Sequence, residues 1–197
     1  MDSATLLAFL AAAVPSFFTP GPNNLMLMAS GARFGIARTL PHMLGIVFGF
    51  PLMVFVVGLG LGEVFTAFPW LKTALKFVAA AYFLWLAWHL LGLRIGDVDA
   101  KSRPLRFIQA ALFQWVNPKA WAMAVSFTAL MVVAGEGKLA SLALLTVACV
   151  LVGSVSGILW LAGGSGIKAV LDRTGGERYV GYVLAGLMVI AVLLFLL

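Results

Sequence analysis

The sequence predicts an all-α integral membrane protein with six transmembrane helices. Of its 197 residues, 63% are hydrophobic and 10% are charged, and the mean hydropathy is +1.09. A soluble domain carries about 25% charged residues, so a soluble fold could not bury this much apolar surface. Six apolar runs fill the chain, and each is long enough to cross about 30 Å of hydrocarbon as a helix. We therefore expect residues 1–197 to form a single transmembrane domain.

The six predicted spans are separated by segments rich in glycine, proline or charge, which are typical of turns. The spans cover residues 4–30, 40–61, 71–93, 107–134, 139–163 and 179–197. The connections between them cover residues 31–38, 62–69, 94–106, 135–138 and 164–178. The first run has neither a basic segment before it nor a cleavage-like end, so we expect it to be retained as a span.

The distribution of Lys and Arg predicts the orientation in the membrane. Alternate connections, together with the adjoining ends of the spans, carry nine basic residues on one side and three on the other. The nine are Arg33, Arg38, Arg94, Lys101, Arg103, Arg106, Lys168, Arg173 and Arg178, and the three are Lys72, Lys76 and Lys138. The positive-inside rule places the richer side in the cytoplasm, which makes 94–106 a cytoplasmic loop and both termini extracytoplasmic. The net charge of +6 therefore indicates topology and no nucleic-acid partner.

An internal repeat divides the predicted spans into two three-helix halves, residues 1–93 and 107–197. Phe17–Pro22 aligns with Phe113–Pro118 at a constant offset of 96 residues, and both segments place prolines inside apolar runs. Because each half has an odd number of spans, the second half must be inverted in the membrane relative to the first. Helices interrupted at corresponding places in two such halves are typical of a transporter's binding site.

Span one is predicted to be broken by the run Thr19, Pro20, Gly21, Pro22, Asn23 and Asn24. A proline inside a helix removes a backbone hydrogen bond and clashes with the preceding turn. The freed backbone groups are tolerated in a membrane only where they are buried in protein or line an aqueous cavity. The run is therefore either a kink satisfied by neighbouring helices or a discontinuous helix at a solute site. The second interpretation is favoured because span four has a proline interruption at the corresponding position.

In span four, Asn117 is a good N-cap and Pro118 fits the first position of a restarted helix. Pro22 can restart span one in the same way. Both restarted helices would begin near the membrane centre, where their free amides and partial positive charge favour an anion such as a carboxylate. Gln114, in the segment that aligns with the first break, is a further candidate binding residue.

Lys119 directly follows the second break and lies too deep to reach either membrane surface. It is about a dozen residues, or roughly 18 Å along a helix, beyond Arg106. A lysine at this depth costs about 2.5 to 3.5 kcal/mol on insertion scales and by default indicates function. No other span offers a central carboxylate to pair with it. We predict that Lys119 contacts a substrate or coupling ion, with a structural contact to carbonyls of a broken helix as the alternative.

At these motifs the sequence resembles the lysine exporter (LysE/RhtB) family of bacterial amino-acid efflux proteins, over essentially the whole chain. The resembling segments are 19–24, 45–49, 81–88 and 117–119. The resemblance implies a secondary active exporter of an amino acid or close derivative in the bacterial cytoplasmic (inner) membrane. It also implies a proton or sodium gradient as the driving force, no cofactor, and a homodimer.

One position departs from the family pattern. Many members follow the glycine that matches Gly49 with an aspartate, whereas this chain has Phe50 and Pro51. An acidic coupling residue is therefore not available there. The combination of Gly49–Phe50 with the run 20–24 is most similar to the cysteine and O-acetylserine exporter branch of the family.

Three other function classes fit the sequence less well. A membrane-embedded enzyme needs a nucleophile, acid/base groups or metal ligands at one membrane depth, and the sequence has only two scattered histidines, His42 and His89. A non-transport scaffold would leave the prolines of both breaks and Lys119 without a reason. A metal exporter would need clustered His, Cys or Asp ligands. We therefore expect neither an enzyme nor a metal site.

Overall fold

The described part of the chain is helical, and it contains no β-strand. The computed structural model describes residues 3–61, 67–68, 70–91, 103–133, 135–174 and 177–196. The prediction of an all-α chain is confirmed. Most of the predicted connection 62–69 and of the predicted cytoplasmic loop 94–106 lies outside the described residues.

Seven α-helices follow one another in the described ranges. They are α1 Ser3–Phe18, α2 Pro22–Val56, α3 Trp70–Leu91, α4 Phe107–Phe113, α5 Pro118–Met131, α6 Lys138–Thr174 and α7 Glu177–Leu196. A π-helical turn, Val57–Leu61, extends α2, and the 3-10 turns Gln114–Val116 and Gly135–Gly137 precede α5 and α6. The gap between α1 and α2 and the gap between α4 and α5 are the two predicted helix breaks.

The connection predicted between spans one and two is much shorter than expected. Instead of a break over residues 31–38, α2 is helical on both sides of one non-helical residue, Gly35, with φ 77° and ψ 174°. Glycine reaches this region of the backbone map because it lacks a Cβ atom. The Thr39 hydroxyl donates hydrogen bonds to the carbonyls of Ser30 (3.2 Å) and Gly35 (2.8 Å). The helix can therefore turn at Gly35 without leaving these carbonyls unpaired.

The predicted connection 164–178 begins as a helix and not as a turn. Helix α6 continues through the glycine-rich segment 163–166 as far as Thr174. A Cβ atom added to Gly164 would overlap the carbonyl oxygen of Met28, and one added to Gly31 would lie 2.5 Å from the carbonyl oxygen of Leu161. These glycines therefore allow the backbones of α2 and α6 to touch, which is a common use of small residues between membrane helices.

The other small-residue motifs also lie at close contacts. A Cβ atom on Gly45 would overlap the carbonyl oxygen of Phe107, and one on Gly49 would lie 2.5 Å from the Cα atom of Ala111. The pair Gly45 and Gly49, one helical turn apart, thus packs α2 against α4. In α6, Gly153 and Gly157 face side chains and not a helix backbone.

The outer surface of the described helices is apolar. On α6, five residues spaced three or four apart are between 51% and 63% exposed: Leu144, Val147, Leu151, Val155 and Ile158. A continuous apolar face of this kind marks a surface that water does not cover. Two helical stretches, Pro22–Leu61 and Gly135–Ile167, are long and apolar enough to cross a membrane. These features agree with an integral membrane protein.

The close contact between α2 and α6 predicts opposite effects for two neighbouring glycines. Gly164→Ala should destabilise the purified protein by about 1 to 3 kcal/mol, because the new methyl group overlaps the backbone at Met28. Gly163→Ala is the matched control, since a Cβ atom there meets nothing within 4 Å. It should leave stability unchanged or raise it slightly, because alanine is the better helix former. Thermal unfolding in detergent measures both effects, and equal Tm values for the two variants would contradict the prediction.

Candidate functional site

The two helix breaks lie against each other in the structure. A Cβ atom built on Gly21 would lie 3.0 Å from Cδ and 3.1 Å from Nζ of Lys119. The side-chain amides of Asn23 and Gln114 pair reciprocally, with Asn23 donating at 2.8 Å and Gln114 donating at 3.2 Å. Residues that are about a hundred positions apart in the sequence therefore share one site.

The first break is built from the stereochemistry of its prolines. Helix α1 ends at Phe18, and the Thr19 amide still donates to the Pro15 carbonyl at 2.9 Å. Gly21 is extended and forms the N-cap of α2, and Pro22 occupies the first turn. A proline suits this position because the first turn of a helix needs no internal N–H donor.

The carbonyls freed at the first break are paired with side chains. Phe17 O accepts hydrogen bonds from Asn24 Nδ2 (2.8 Å) and Ser156 Oγ (2.7 Å). Thr19 O accepts from Asn24 Nδ2 (2.9 Å) and Lys119 Nζ (3.1 Å). Side chains of α2, α5 and α6 therefore satisfy the carbonyl groups at the end of α1. Backbone groups at membrane depth need such partners because no lipid group can replace them.

The second break has the cap that its sequence predicts. Asn117 is the N-cap of α5, its Oδ1 accepts a hydrogen bond from Lys119 N at 3.1 Å, and Pro118 occupies the first turn. Trp121 Nε1 donates to the Trp115 carbonyl at 2.8 Å, and the two indole rings meet edge to face at 5.9 Å. Trp115 precedes the break and Trp121 follows it, so their contact connects the segments on its two sides.

Lys119 binds directly to the first break. Its ammonium group donates to Thr19 O at 3.1 Å and to Thr19 Oγ1 at 2.9 Å. The structural contact to carbonyls of a broken helix, which the sequence left open, is thus present. An ammonium group has three donors, and Thr19 is its only hydrogen-bond partner among the described residues. One donor therefore remains for another ligand.

A cavity of about 50 Å³ lies at the junction of the two breaks. Helices α1, α2, α5 and α6 all contribute to its wall. Its polar lining residues are Ser16, Asn23, Asn24, Asn117, Lys119 and Ser156. Its other lining residues are Phe17, Gly21, Leu27, Met43, Ile46, Val47, Phe50, Pro51, Ala120, Met123, Cys149, Gly153 and Gly157. The space is enough for a few water molecules.

Half of the ten candidate site residues line this cavity. They are Gly21, Asn23, Asn24, Asn117 and Lys119. The other five belong to the framework of the two breaks and are absent from the cavity lining: Thr19, Pro20, Pro22, Gln114 and Pro118. Gln114 is fully buried, and its amide binds Asn23 and the Ala110 carbonyl at 2.9 Å.

Two serines of the cavity were missed by sequence reasoning. Ser16 lies in the last turns of α1, and Ser156 lies within the apolar run of α6. Ser156 had only a partial signal, because both Ser154 and Ser156 lie between Gly153 and Gly157, and the sequence does not show which of them faces the cavity. Ser16 had a weaker one, since a serine next to Pro15 reads as part of a bend.

Comparison with known proteins agrees with these features. Residues 15–197 match the family described as LysE type translocator. The chain is 26% identical over 190 residues to the cysteine/O-acetylserine efflux protein of Salmonella typhimurium (strain LT2), covering 96% of both chains. It is 25% identical over 190 residues to the protein of the same name from Escherichia coli (strain K12), again covering 96% of both. No solved structure matches the chain significantly.

The family match covers nearly the whole chain, including both helix breaks and every residue that lines the cavity. Its members are membrane transporters and not enzymes. The chain therefore belongs to the LysE type translocator family.

Proposed function

We propose that this protein exports a small amino acid or a close derivative across the bacterial cytoplasmic membrane. The observation that carries the proposal is the cavity where the N-termini of α2 and α5 meet beside Lys119. The relatives named as cysteine/O-acetylserine efflux proteins support a solute of this size and chemistry. The direction of transport is taken from the same relatives.

The site is suited to a carboxylate. Two helices, α2 and α5, begin at the cavity, and the N-terminus of each carries a partial positive charge. At α5 the Lys119 amide is already bound by Asn117 Oδ1. Lys119 adds a full positive charge at the same place, and among the described residues only Thr19 accepts a hydrogen bond from its ammonium group. A carboxylate is the group that all amino acids share, so this end of the cavity would hold the common part of the solute. The present cavity holds a few waters, so binding a whole amino acid requires its walls to separate.

Two inverted three-helix halves provide a reason for this geometry. The offset of 96 residues pairs Gly21 with Asn117 and Pro22 with Pro118, and each pair has the same role in its helix. Moreover, α2 packs on α4 while α6 packs on α1, so each broken span contacts the second span of the other half. Rocking of one half against the other would open the cavity to alternate sides.

Transport would be driven by a proton or sodium gradient, and the protein would act as a homodimer. Both properties are implied by the family resemblance. Proteoliposomes with an imposed proton gradient or an imposed sodium gradient distinguish the coupling ions. Accumulation of solute with one gradient, abolished by a matching ionophore, is the expected result.

Export itself is tested by overexpression. Cells that overproduce the protein should tolerate growth-inhibiting concentrations of one or more members of a panel of amino acids and derivatives, with cysteine and O-acetylserine included. They should also release the tolerated solute faster than cells with an empty vector. An unchanged tolerance for the whole panel, at confirmed membrane levels, would contradict the proposal.

The predicted topology is tested independently. A reporter fused after Leu197 should be active on the extracytoplasmic side, and the same reporter fused after Lys101 should be active in the cytoplasm. The physical reason is the excess of basic residues in alternate connections. A C-terminus on the same side as Lys101 would rule out three spans in the second half, and with them the inverted halves.

A further inference from the structure

Two glycines of α6, Gly153 and Gly157, line the cavity and lie opposite side chains of α1 and α2. A Cβ atom on Gly157 would lie 3.0 Å from Cγ and 3.5 Å from Sδ of Met43, and 3.7 Å from Cγ2 of Val47. A Cβ atom on Gly153 would lie 3.2 Å from the Phe17 ring. Both glycines line the cavity, together with the residues they face.

These contacts differ in kind from those of the packing glycines. Gly31, Gly49 and Gly164 face the backbone of another helix, which cannot move aside. Gly157 faces Cγ and Sδ of the Met43 side chain, which can change rotamer without a shift of the helix. Close helix packing therefore does not require a glycine at 157 as strictly as it does at 164. The absence of a side chain at 157 instead keeps space open inside the cavity.

The charges around the cavity indicate what kind of side chain would use this space. Among the described residues, Lys119 is the only Lys or Arg of the lining, and none of the described lining residues is Asp or Glu. A solute with a cationic side chain would bring a second positive charge into an apolar environment without a counter-ion, at high energetic cost. The side chains that Gly153 and Gly157 face are apolar, namely Phe17, Met43 and Val47, and the nearby Ser156 hydroxyl already donates to the Phe17 carbonyl.

We infer that Gly153 and Gly157, opposite Phe17 and Met43, set the largest side chain that the cavity accepts, and that this side chain is uncharged. The inference rests on the proposed amino-acid export and adds to it the residues that determine specificity. Lys119 and the two helix N-termini bind the part common to all amino acids, whereas the α6 glycines limit the variable part.

A panel of solutes graded by side-chain length tests this inference. Initial transport rates are measured in proteoliposomes for L-alanine, L-serine, L-cysteine, O-acetyl-L-serine, L-methionine and L-lysine. Gly157→Ala should reduce the rates for the longer uncharged solutes at least tenfold relative to the shorter ones, because one methyl group in an apolar pocket discriminates by roughly 10- to 200-fold. Gly163→Ala, at an exposed position of the same helix, should leave the order of rates unchanged. L-lysine should be transported poorly by every variant.

A second variant separates specificity from folding. Met43→Ala removes the atoms that the new Cβ atom would meet, so Gly157→Ala/Met43→Ala should regain the longer solutes. A general loss of stability would not be reversed by a second core truncation. An equal reduction for all solutes in Gly157→Ala, or efficient L-lysine transport by the wild type, would overturn the inference while leaving export itself intact. If the wild type transports no member of the panel, the proposed function fails as well.

Discussion

Replacing Lys119 with glutamine is expected to abolish or strongly reduce export while the protein still accumulates in the membrane. The substitution removes the one full positive charge among the described residues of the cavity lining. A hydrogen bond to a charged group contributes about 1.5 to 3 kcal/mol, so solute affinity should fall roughly ten- to 150-fold. Removing a deep lysine also eases membrane insertion, so lost export could not be attributed to misinsertion. Solute release from cells and binding to purified protein measure the two effects.

Two further variants separate solute binding from support of the helix break. Lys119→Arg restores the charge but not the shape, and it should retain partial export. Thr19→Val removes the hydroxyl that accepts from Lys119 at 2.9 Å and leaves the ammonium in place. If Lys119 mainly binds solute, Thr19→Val should keep most of the export. Loss of export in Thr19→Val with full export in Lys119→Gln would assign the site a structural role and end the carboxylate hypothesis.

Removing the two prolines that start α2 and α5 should have the second largest effect. Pro22→Ala/Pro118→Ala is expected to lower solute affinity by roughly tenfold or more, equivalent to about 1.4 kcal/mol. Proline at the first helical position presets the backbone for a helix start, and alanine allows the preceding segment to become helical too. The free amides would then be withdrawn from the cavity. Solute binding to the purified double variant measures this directly.

The chain offers a matched control for these prolines. Pro41→Ala changes an exposed proline of α2 that is absent from the cavity lining, so it should leave binding unchanged. Transport lost with binding retained in the double variant would assign the prolines to the opening motion and not to the site. Equal effects of Pro41→Ala and the double variant would indicate a general weakening of the helices.

Several features of the fold followed from short stretches of sequence. The Asn117–Pro118 cap and the restart at Pro22 depend on proline stereochemistry and on one side-chain hydrogen bond within three residues. The Gly45 and Gly49 contact depends on a spacing of one helical turn. In each case the residues that cause the structural feature lie within one or two helical turns of it, so the feature can be predicted from the local sequence.

Glycine was the least predictable residue type. The glycines at 163–166 resemble a turn in sequence, but they lie inside α6, where Gly164 touches the backbone of α2. The change of direction between spans one and two is concentrated at Gly35, which has a φ of 77°. Nothing in the neighbouring sequence distinguishes Gly35 from the nearby Gly31. The same residue type permits a turn, a close contact or an open cavity wall, and only the surroundings of each glycine decide between them.

The sequence by itself determined that the protein belongs in a membrane, that two of its spans are broken, and that a lysine lies beside the second break. These properties depend on the free energy of transferring side chains and backbone groups out of water, and each segment contributes to it independently of the others. Only the tertiary structure decided that Lys119 binds Thr19, that Asn23 pairs with Gln114, and that Ser156 stabilises the end of α1. Those contacts join residues between 91 and 139 positions apart. They exist because helix packing brings the two breaks together, and packing depends on the shapes of whole helix surfaces and not on any local pattern.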